Sequence, residues 1–314
     1  LVILVFQKLQ SKFEAFKNDN NQIKRIGDNI VEINILSDQT DLQNLSSPQY
    51  ILQKQWTDSP RVLFNIYSNE ATENLLKKIR HNSIPLEKIC DFCLGLTPYD
   101  RYAGQTSEQI KNRVFHAQIP KDESYRRWIV GGDVGRYTLG WKKKEWINYG
   151  PHLAAPREKR FFVSPRILVR QIISGNQPRI YATYTEEELY NGQTIFNLLK
   201  KDNTTFGLKY ILGILNSKLM TFYHANVFLD KSKRLFQKIL IQDAKLFPIV
   251  QPNSTLETEL ISLVDELISL KNSKDLTIEL TQQILALDSK IDQIVYRIYN
   301  LMPEEQEIIE RDFK

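Results

Sequence analysis

The residues best suited to chemistry by type and spacing lie between positions 121 and 179, where basic and aromatic side chains interleave. Tyr125-Arg126-Arg127-Trp128 is followed by Arg136-Tyr137 and then by Trp141-Lys142-Lys143-Lys144-Glu145-Trp146. Arg157, Lys159 and Arg160 flank the next apolar run. This stretch holds thirteen Lys/Arg against five Asp/Glu. Ammonium and guanidinium groups neutralise phosphates, while aromatic rings and Arg contact bases and sugars. The pattern therefore fits a nucleic acid. Arg166-Ile-Leu-Val-Arg-Gln-Ile-Ile173 reads as a strand beginning after Pro165, so Arg166, Leu168 and Arg170 share one face. An Arg on such a face either clamps a phosphate or makes a paired bond to a guanine edge. The candidate contacts are Arg126, Arg127, Arg136, Tyr137, Trp141, Lys142, Lys143, Lys144, Arg166 and Arg170. The competing reading is a solvated basic face with its tryptophans in the core, and Arg166 and Arg170 paired with acids such as Glu186 to Glu188.

Catalytic patterns are missing. An S-adenosylmethionine site needs a Gly-rich loop after a first strand, and amino methylation also needs an Asn/Asp-Pro-Pro-aromatic tetrapeptide; neither is present. Gly131-Gly132-Asp133-Val134-Gly135 lacks the G-x-G-x-x-G spacing and reads as a tight turn between strands. Asp243-Ala244-Lys245 is a scrap of a nuclease pattern without a partner. His81, His116, His152 and His224 stand in no ligand or triad spacing. Cys90 and Cys93 have C-x2-C spacing but no second ligand pair, so two half-buried thiols are expected rather than a zinc or redox site. No catalytic residue and no metal site is assigned.

The elements that must position the basic cluster follow from composition and periodicity. The 314 residues, 42% hydrophobic and 11% aromatic, suffice for a packed core. Two cysteines exclude a disulfide framework and suggest a reducing cytoplasm. No apolar run reaches the roughly 18 residues that cross a bilayer, so no membrane partner is expected. Residues 1 to 60 look β-rich, with strand-like Leu1–Phe6 and Ile30–Ile35 around a polar stretch at Asn18–Asn21. The abrupt apolar start reads as a strand belonging to a larger protein. Residues 61–83 form a connecting segment with a helix over Asn69–Arg80. Residues 84–250 mix strands and turns, including a hairpin of Arg166–Ile173 and Arg179–Tyr184 about a turn at 174–178, then a helix over Leu208–Ala225.

Over residues 251–314, Leu256, Leu260, Leu263, Leu267 and Leu270 recur in steps of 4 and 3. After Asn272–Asp275 the rhythm resumes at Leu280, Ile284, Leu287, Ile291, Ile294, Ile298 and Leu301. An antiparallel helical hairpin is expected, then a short helix opened by Pro303 and running Glu304 to Arg311. The fold class is α+β, a mixed β-rich domain with a C-terminal helical hairpin. Charge divides with it, since residues 255–314 hold six basic and thirteen acidic groups. One part of the chain suits a polyanion and another repels it.

Several segments in this order resemble the C-terminal specificity region of type IIG restriction–modification enzymes and TaqI-like adenine-N6 DNA methyltransferases. They are Pro85–Leu96, Ile129–Tyr137, Phe162–Ile172, Tyr210–Leu219 with its Leu-Asn-Ser-Lys-Leu, Leu246–Ile249 and Ile291–Ile308. The likeness covers about residues 84 to 312. It implies a target-recognition domain at 84–250 that binds double-stranded DNA, with residues 1–60 as the end of a preceding methyltransferase domain. S-adenosylmethionine, and Mg where a nuclease domain is fused, are implied for the intact enzyme but not for this chain. Half of a type I specificity subunit is the nearest alternative, though one recognition unit and no internal repeat are visible. A coiled-coil interaction protein with an incidental basic face is the other.

Overall fold

The computed structural model describes residues 30–33, 49–52, 56, 69–173, 179–229, 238–273 and 277–313. Its strands are β1 (Ile30–Ile33), β2 (Gln49–Leu52), β3 (Ser83–Pro85), β4 (Cys90–Leu94), β5 (His116–Ala117), β6 (Tyr125–Ile129) and β7 (Glu145–Asn148). They continue with β8 (Arg166–Arg170), β9 (Ala182–Thr185), β10 (Tyr190–Asn191), β11 (Ile195–Lys200) and β12 (Pro248–Val250). The longer helices are α1 (Glu70–Arg80), α2 (Leu208–Asn216), α3 (Lys218–Val227), α4 (Ser254–Lys271), α5 (Ile278–Ile298) and α6 (Pro303–Arg311). This is the α+β class that the sequence pattern indicates. The expected strand Leu1–Phe6, the polar stretch at 18–21, the turn at 174–178 and Lys274–Asp275 lie outside the described residues.

Two four-stranded sheets carry the central region. One has the order β4-β11-β8-β9 with antiparallel neighbours, and the other β10-β6-β7-β5, in which β10 runs parallel to β6. The expected pairing of the Arg166 strand with the strand after Arg179 is present, with Arg166 opposite Thr185 and Val169 opposite Ala182. β8 is an interior strand, and both its faces are covered. Ile167 and Val169 join the main core with α2 and α3, while Leu168 packs with Ile129, Val134, Leu189 and Ile195 between the two sheets. Period-2 alternation on β8 therefore separates two buried layers rather than inside from outside.

The helix expected over Leu208–Ala225 is two helices that break at Asn216–Ser217. The cause is local. The Asn216 carboxamide brackets Ala182 of β9, accepting from its N–H at 3.0 Å and donating to its carbonyl at 3.0 Å. Ser217 then caps α3 by accepting from the Met220 N–H at 3.2 Å. α4 and α5 form the expected antiparallel arm, and Leu260, Val264, Leu267, Leu287, Ile291, Ile294 and Val295 are buried in it. α2 packs closely on α4 at Gly213. A Cβ there would lie 2.9 Å from the Leu260 side chain and 3.1 Å from Val264, so this approach depends on glycine.

Candidate nucleic-acid interface

The connection between β6 and β7, residues 130–144, carries six of the ten candidate contacts. One carboxylate closes its base. Asp133, buried, accepts from the Val130 N–H at 2.9 Å through one oxygen and from the Lys142 N–H at 2.9 Å through the other. The Asp133 carbonyl also accepts from the Gly140 N–H at 2.8 Å. Trp141 adds a second fastening, its indole N–H aimed at the carbonyls of Trp128 at 3.0 Å and Glu145 at 3.2 Å. With Trp146 edge-on at 5.3 Å, Trp141 is a supporting residue rather than a displayed aromatic. Lys142, Lys143 and Lys144 follow on the outside, exposed and without a side-chain partner among the described residues. Lys144 holds a left-handed φ of 50°.

The other end of the same connection is buried, which corrects the expectation for Arg136 and Tyr137. The Arg136 side chain is 13% exposed and bonds both Asp288 oxygens, at 2.7 and 2.6 Å, and the Asn216 carbonyl at 2.8 Å. Asp288 sits on α5, so this Arg is spent on the helical arm. Tyr137 is 0% exposed, at a φ of 63°, and burial pushes its phenol well above its usual pKa. Neither presents itself to a duplex.

Arg166 is corrected as well. It is 0% exposed, and its guanidinium donates to the carbonyls of Ser164 at 3.0 Å, Glu187 at 3.0 Å and Leu189 at 2.9 Å. Desolvation lowers its pKa to about 10, and the opposing influence of Tyr190 and Glu187 does not make up for the burial. The shared face of Arg166, Leu168 and Arg170 is the face turned towards the second sheet. Arg170 is half-buried and lies over the Tyr181 ring at 5.3 Å.

Arg126 and Arg127 occupy opposite faces of β6 but end alike. Arg126 pairs with Glu188 at 2.9 Å and Arg127 with Glu187 at 2.7 Å. The acids at 187–188 do take up arginines, but these are Arg126 and Arg127; Arg166 takes only the Glu187 carbonyl. Both pairs are partly exposed and therefore weak. They can open for a phosphate.

Other exposed cations stand outside the ten candidates, Arg157 and Lys159 among them although the sequence pattern noted both in the basic stretch. Lys121, Arg157 and Lys159 have no hydrogen-bond or ion-pair partner among the described side chains. Arg157 is also left-handed, at φ 56°. Tyr102, 97% exposed, stands beside exposed Arg101 on a turn fixed by Asp100, which accepts from the Tyr102 N–H at 2.8 Å. Gln105 braces this turn, accepting from the Asp100 N–H at 2.9 Å and donating to the His152 carbonyl at 3.0 Å. Left-handed backbone at non-glycine positions leaves no composition signal, and a lone Arg-Tyr pair has no periodicity to betray it.

The catalytic types remain scattered. Among the described residues no three His, Cys, Asp or Glu converge as a metal site. Cys90 and Cys93 are buried free thiols, pushed up by desolvation to about 12 and about 11, respectively, and so unreactive at neutral pH. No described helix is long and apolar enough to cross a membrane.

Comparison with known proteins agrees with this picture. Residues 126–249 match the family described as the TaqI-like C-terminal specificity domain. A putative type II restriction enzyme and methyltransferase of Methanocaldococcus jannaschii is 27% identical over 250 residues, covering 78% of this chain and 21% of that protein. The chain thus spans about a fifth of the length of this relative. Among solved structures, the type IIL restriction–modification enzyme MmeI in complex with DNA overlays at a TM-score of 0.46 and 12% identity, over 73% of this chain and 35% of that one. The type IIG restriction endonuclease BpuSI overlays at 0.43 and 9% identity, over 82% and 36%. The HsdS subunit from Thermoanaerobacter tengcongensis overlays at 0.37 and 11% identity, over 78% and 51%. Scores this low fix no residue correspondence. The family match and the sequence relative point the same way: residues 126–249 match the TaqI-like C-terminal specificity domain, and the chain is similar to part of a putative type II restriction enzyme and methyltransferase.

Proposed function

We propose that the chain reads double-stranded DNA for an adenine-N6 methyltransferase or a type IIG restriction–modification enzyme. One observation supports the reading most. Of the thirteen cations between 121 and 179, six stand exposed with no hydrogen bond or ion pair from the side chain among the described residues: Lys121, Lys142, Lys143, Lys144, Arg157 and Lys159. Exposed, unpaired cations are available to displace counterions from phosphates. Catalysis is assigned to a partner domain that binds S-adenosylmethionine and flips the target adenine out of the duplex. Mg would belong to a nuclease domain where one is fused.

The test is duplex binding across a salt series. With six phosphate contacts, log K falls with log[salt] at a slope of roughly −5. Absence of binding at low salt, or an affinity indifferent to salt, overturns the reading.

A further inference from the structure

The loop that displays Lys142–Lys144 is tied to its own sheet by Asp133 and Trp141, but it is tied to the helical arm through Arg136. That second attachment is a buried lattice of charge. Arg136 bonds both oxygens of Asp288 on α5, at 2.7 and 2.6 Å. Lys271, in the last turn of α4, donates to the Arg136 carbonyl at 3.1 Å and stands 5.6 Å from the centroid of the buried Tyr137 ring. Arg136 and Arg179 converge on one acceptor, the Asn216 carbonyl, each at 2.8 Å. Arg179 lies 3.8 Å from Asp292 of α5, and Asp292 accepts from the Lys218 N–H at 2.7 Å. Both helices of the arm, the α2–α3 junction and the lysine loop therefore meet at Arg136.

Packing does not require this arrangement. The main core joins α2, α4 and α5 through Leu212, Leu260, Val264, Ile291 and Val295 without any charge. Apolar groups in place of a buried ion pair are often neutral or stabilising, whereas a two-pronged Arg–carboxylate bond fixes orientation. Three cations, Arg136, Arg179 and Lys271, surround two carboxylates, Asp288 and Asp292. Such a set holds only if every partner stays in register.

We infer that Arg136 is a positioning residue: through Asp288 it sets the lysine loop at a fixed place on the helical arm, so that Lys142–Lys144 reach the phosphates together. This rests on the proposed DNA reading. Loss of the bond leaves the loop closed on its own sheet by Asp133 and Trp141, but no longer registered to the arm. The lysines then meet phosphates in several geometries, and fewer counterions leave per complex.

The experiment compares Asp288→Asn, Asp288→Glu, Arg136→Lys and the triple variant Lys142→Ala/Lys143→Ala/Lys144→Ala in the full chain. Duplex affinity is measured across a salt series, with folding checked by circular dichroism. The triple variant is expected to flatten the slope by about three units. Asp288→Asn should flatten it by at least one unit and weaken binding roughly 2- to 30-fold, while Asp288→Glu, which keeps the charge, recovers part of the loss. Arg136→Lys, a point charge without the two-pronged fork, should resemble Asp288→Asn. Combined with the triple variant, Asp288→Asn should add nothing further, because its effect runs through the same lysines. A flattened slope in the triple variant beside a parental slope in folded Asp288→Asn, Asp288→Glu and Arg136→Lys overturns the positioning role alone. A parental slope in the triple variant overturns the DNA contact of this loop and the positioning role with it. A purely structural role would shift the unfolding midpoint and leave the slope of the folded protein unchanged.

Discussion

Arg136 and Lys143 stand in one short connection between the same two strands, and both are cations, yet one bonds Asp288 beneath the helical arm and the other is exposed, with no hydrogen bond or ion pair from its side chain among the described residues. The contrast extends over the whole basic region. Its deeply placed cations, Arg136, Arg166 and Arg179, are all arginines, and each is held by carbonyl or carboxylate oxygens. Five of the six unpartnered ones are lysines. A planar guanidinium with five donors meets several fixed oxygens at once and is weakly hydrated, whereas an ammonium is a strongly hydrated point charge. Lys271 marks the boundary between these fates. It lies in the charge lattice, and desolvation first, then Arg136 and Arg179, push it down to about 8. Local charge count thus shows that a segment is basic, while side-chain geometry decides which cations build the protein and which are left for a ligand.

The largest effect that can break this comparison is expected at Arg166. Replacement by Ala removes three hydrogen bonds, to the carbonyls of Ser164, Glu187 and Leu189, and leaves a hole between the sheets. A loss of about 3–5 kcal/mol in urea denaturation is expected, with DNA affinity per folded molecule unchanged. Undiminished stability together with weakened binding would put Arg166 among the displayed cations after all.

A second test acts through acid. His224 is fully buried, both ring nitrogens lack a hydrogen-bond partner among the described residues, and Phe228 and Phe247 lie against it at 6.0 and 5.8 Å. Burial lowers its pKa to about 3. The folded value lies below the unfolded value of about 6.5, so the neutral form is the one the fold accepts. Stability is complete above the unfolded value and is lost as pH falls from about 6.5 towards 3, by up to about 1.4 kcal/mol per unit. His116, held down to about 4 by burial and then by Arg113, acts in the same direction. Denaturation midpoints over this range should fall steeply in the parent and less steeply in His224→Phe. An unchanged pH dependence in His224→Phe would remove His224 as the cause.

The smallest effect is expected at Lys143. Replacement by Ala should leave stability within about 0.5 kcal/mol and flatten the salt slope of DNA binding by about one unit. A slope that stays put would take Lys143 out of the contact set and sharpen the division between displayed and structural cations.

Much of the fold was legible because its signals are local. Asn69 caps α1 as its position suggests, the leucine steps mark α4 and α5, and Pro303 opens α6. The strand at Arg166–Arg170 was also visible, as was its alternation. Its environment was not, since an interior strand between two apolar layers alternates just as an amphipathic one does. The break at Asn216 escaped because its cause lies in a bond to Ala182, 34 residues away. Of the candidate contacts, Lys142–Lys144 are exposed, as a run of lysines suggests. Arg136 and Arg166 were misplaced because the partners that claim them, Asp288 and the carbonyls of 187 and 189, come from other elements.

The carboxylate of Asp133 closes the Val130 and Lys142 ends of their connection with one side chain and through backbone donors only. Such a closure is indifferent to the side chains mounted beyond it. Lys143 and Lys144 can therefore change identity while β6 and β7 keep their register, and the turn behaves as an exchangeable cassette on a constant frame. Variation of the displayed side chains is thereby uncoupled from variation of folding, and selection can act on them without renegotiating the sheet beneath.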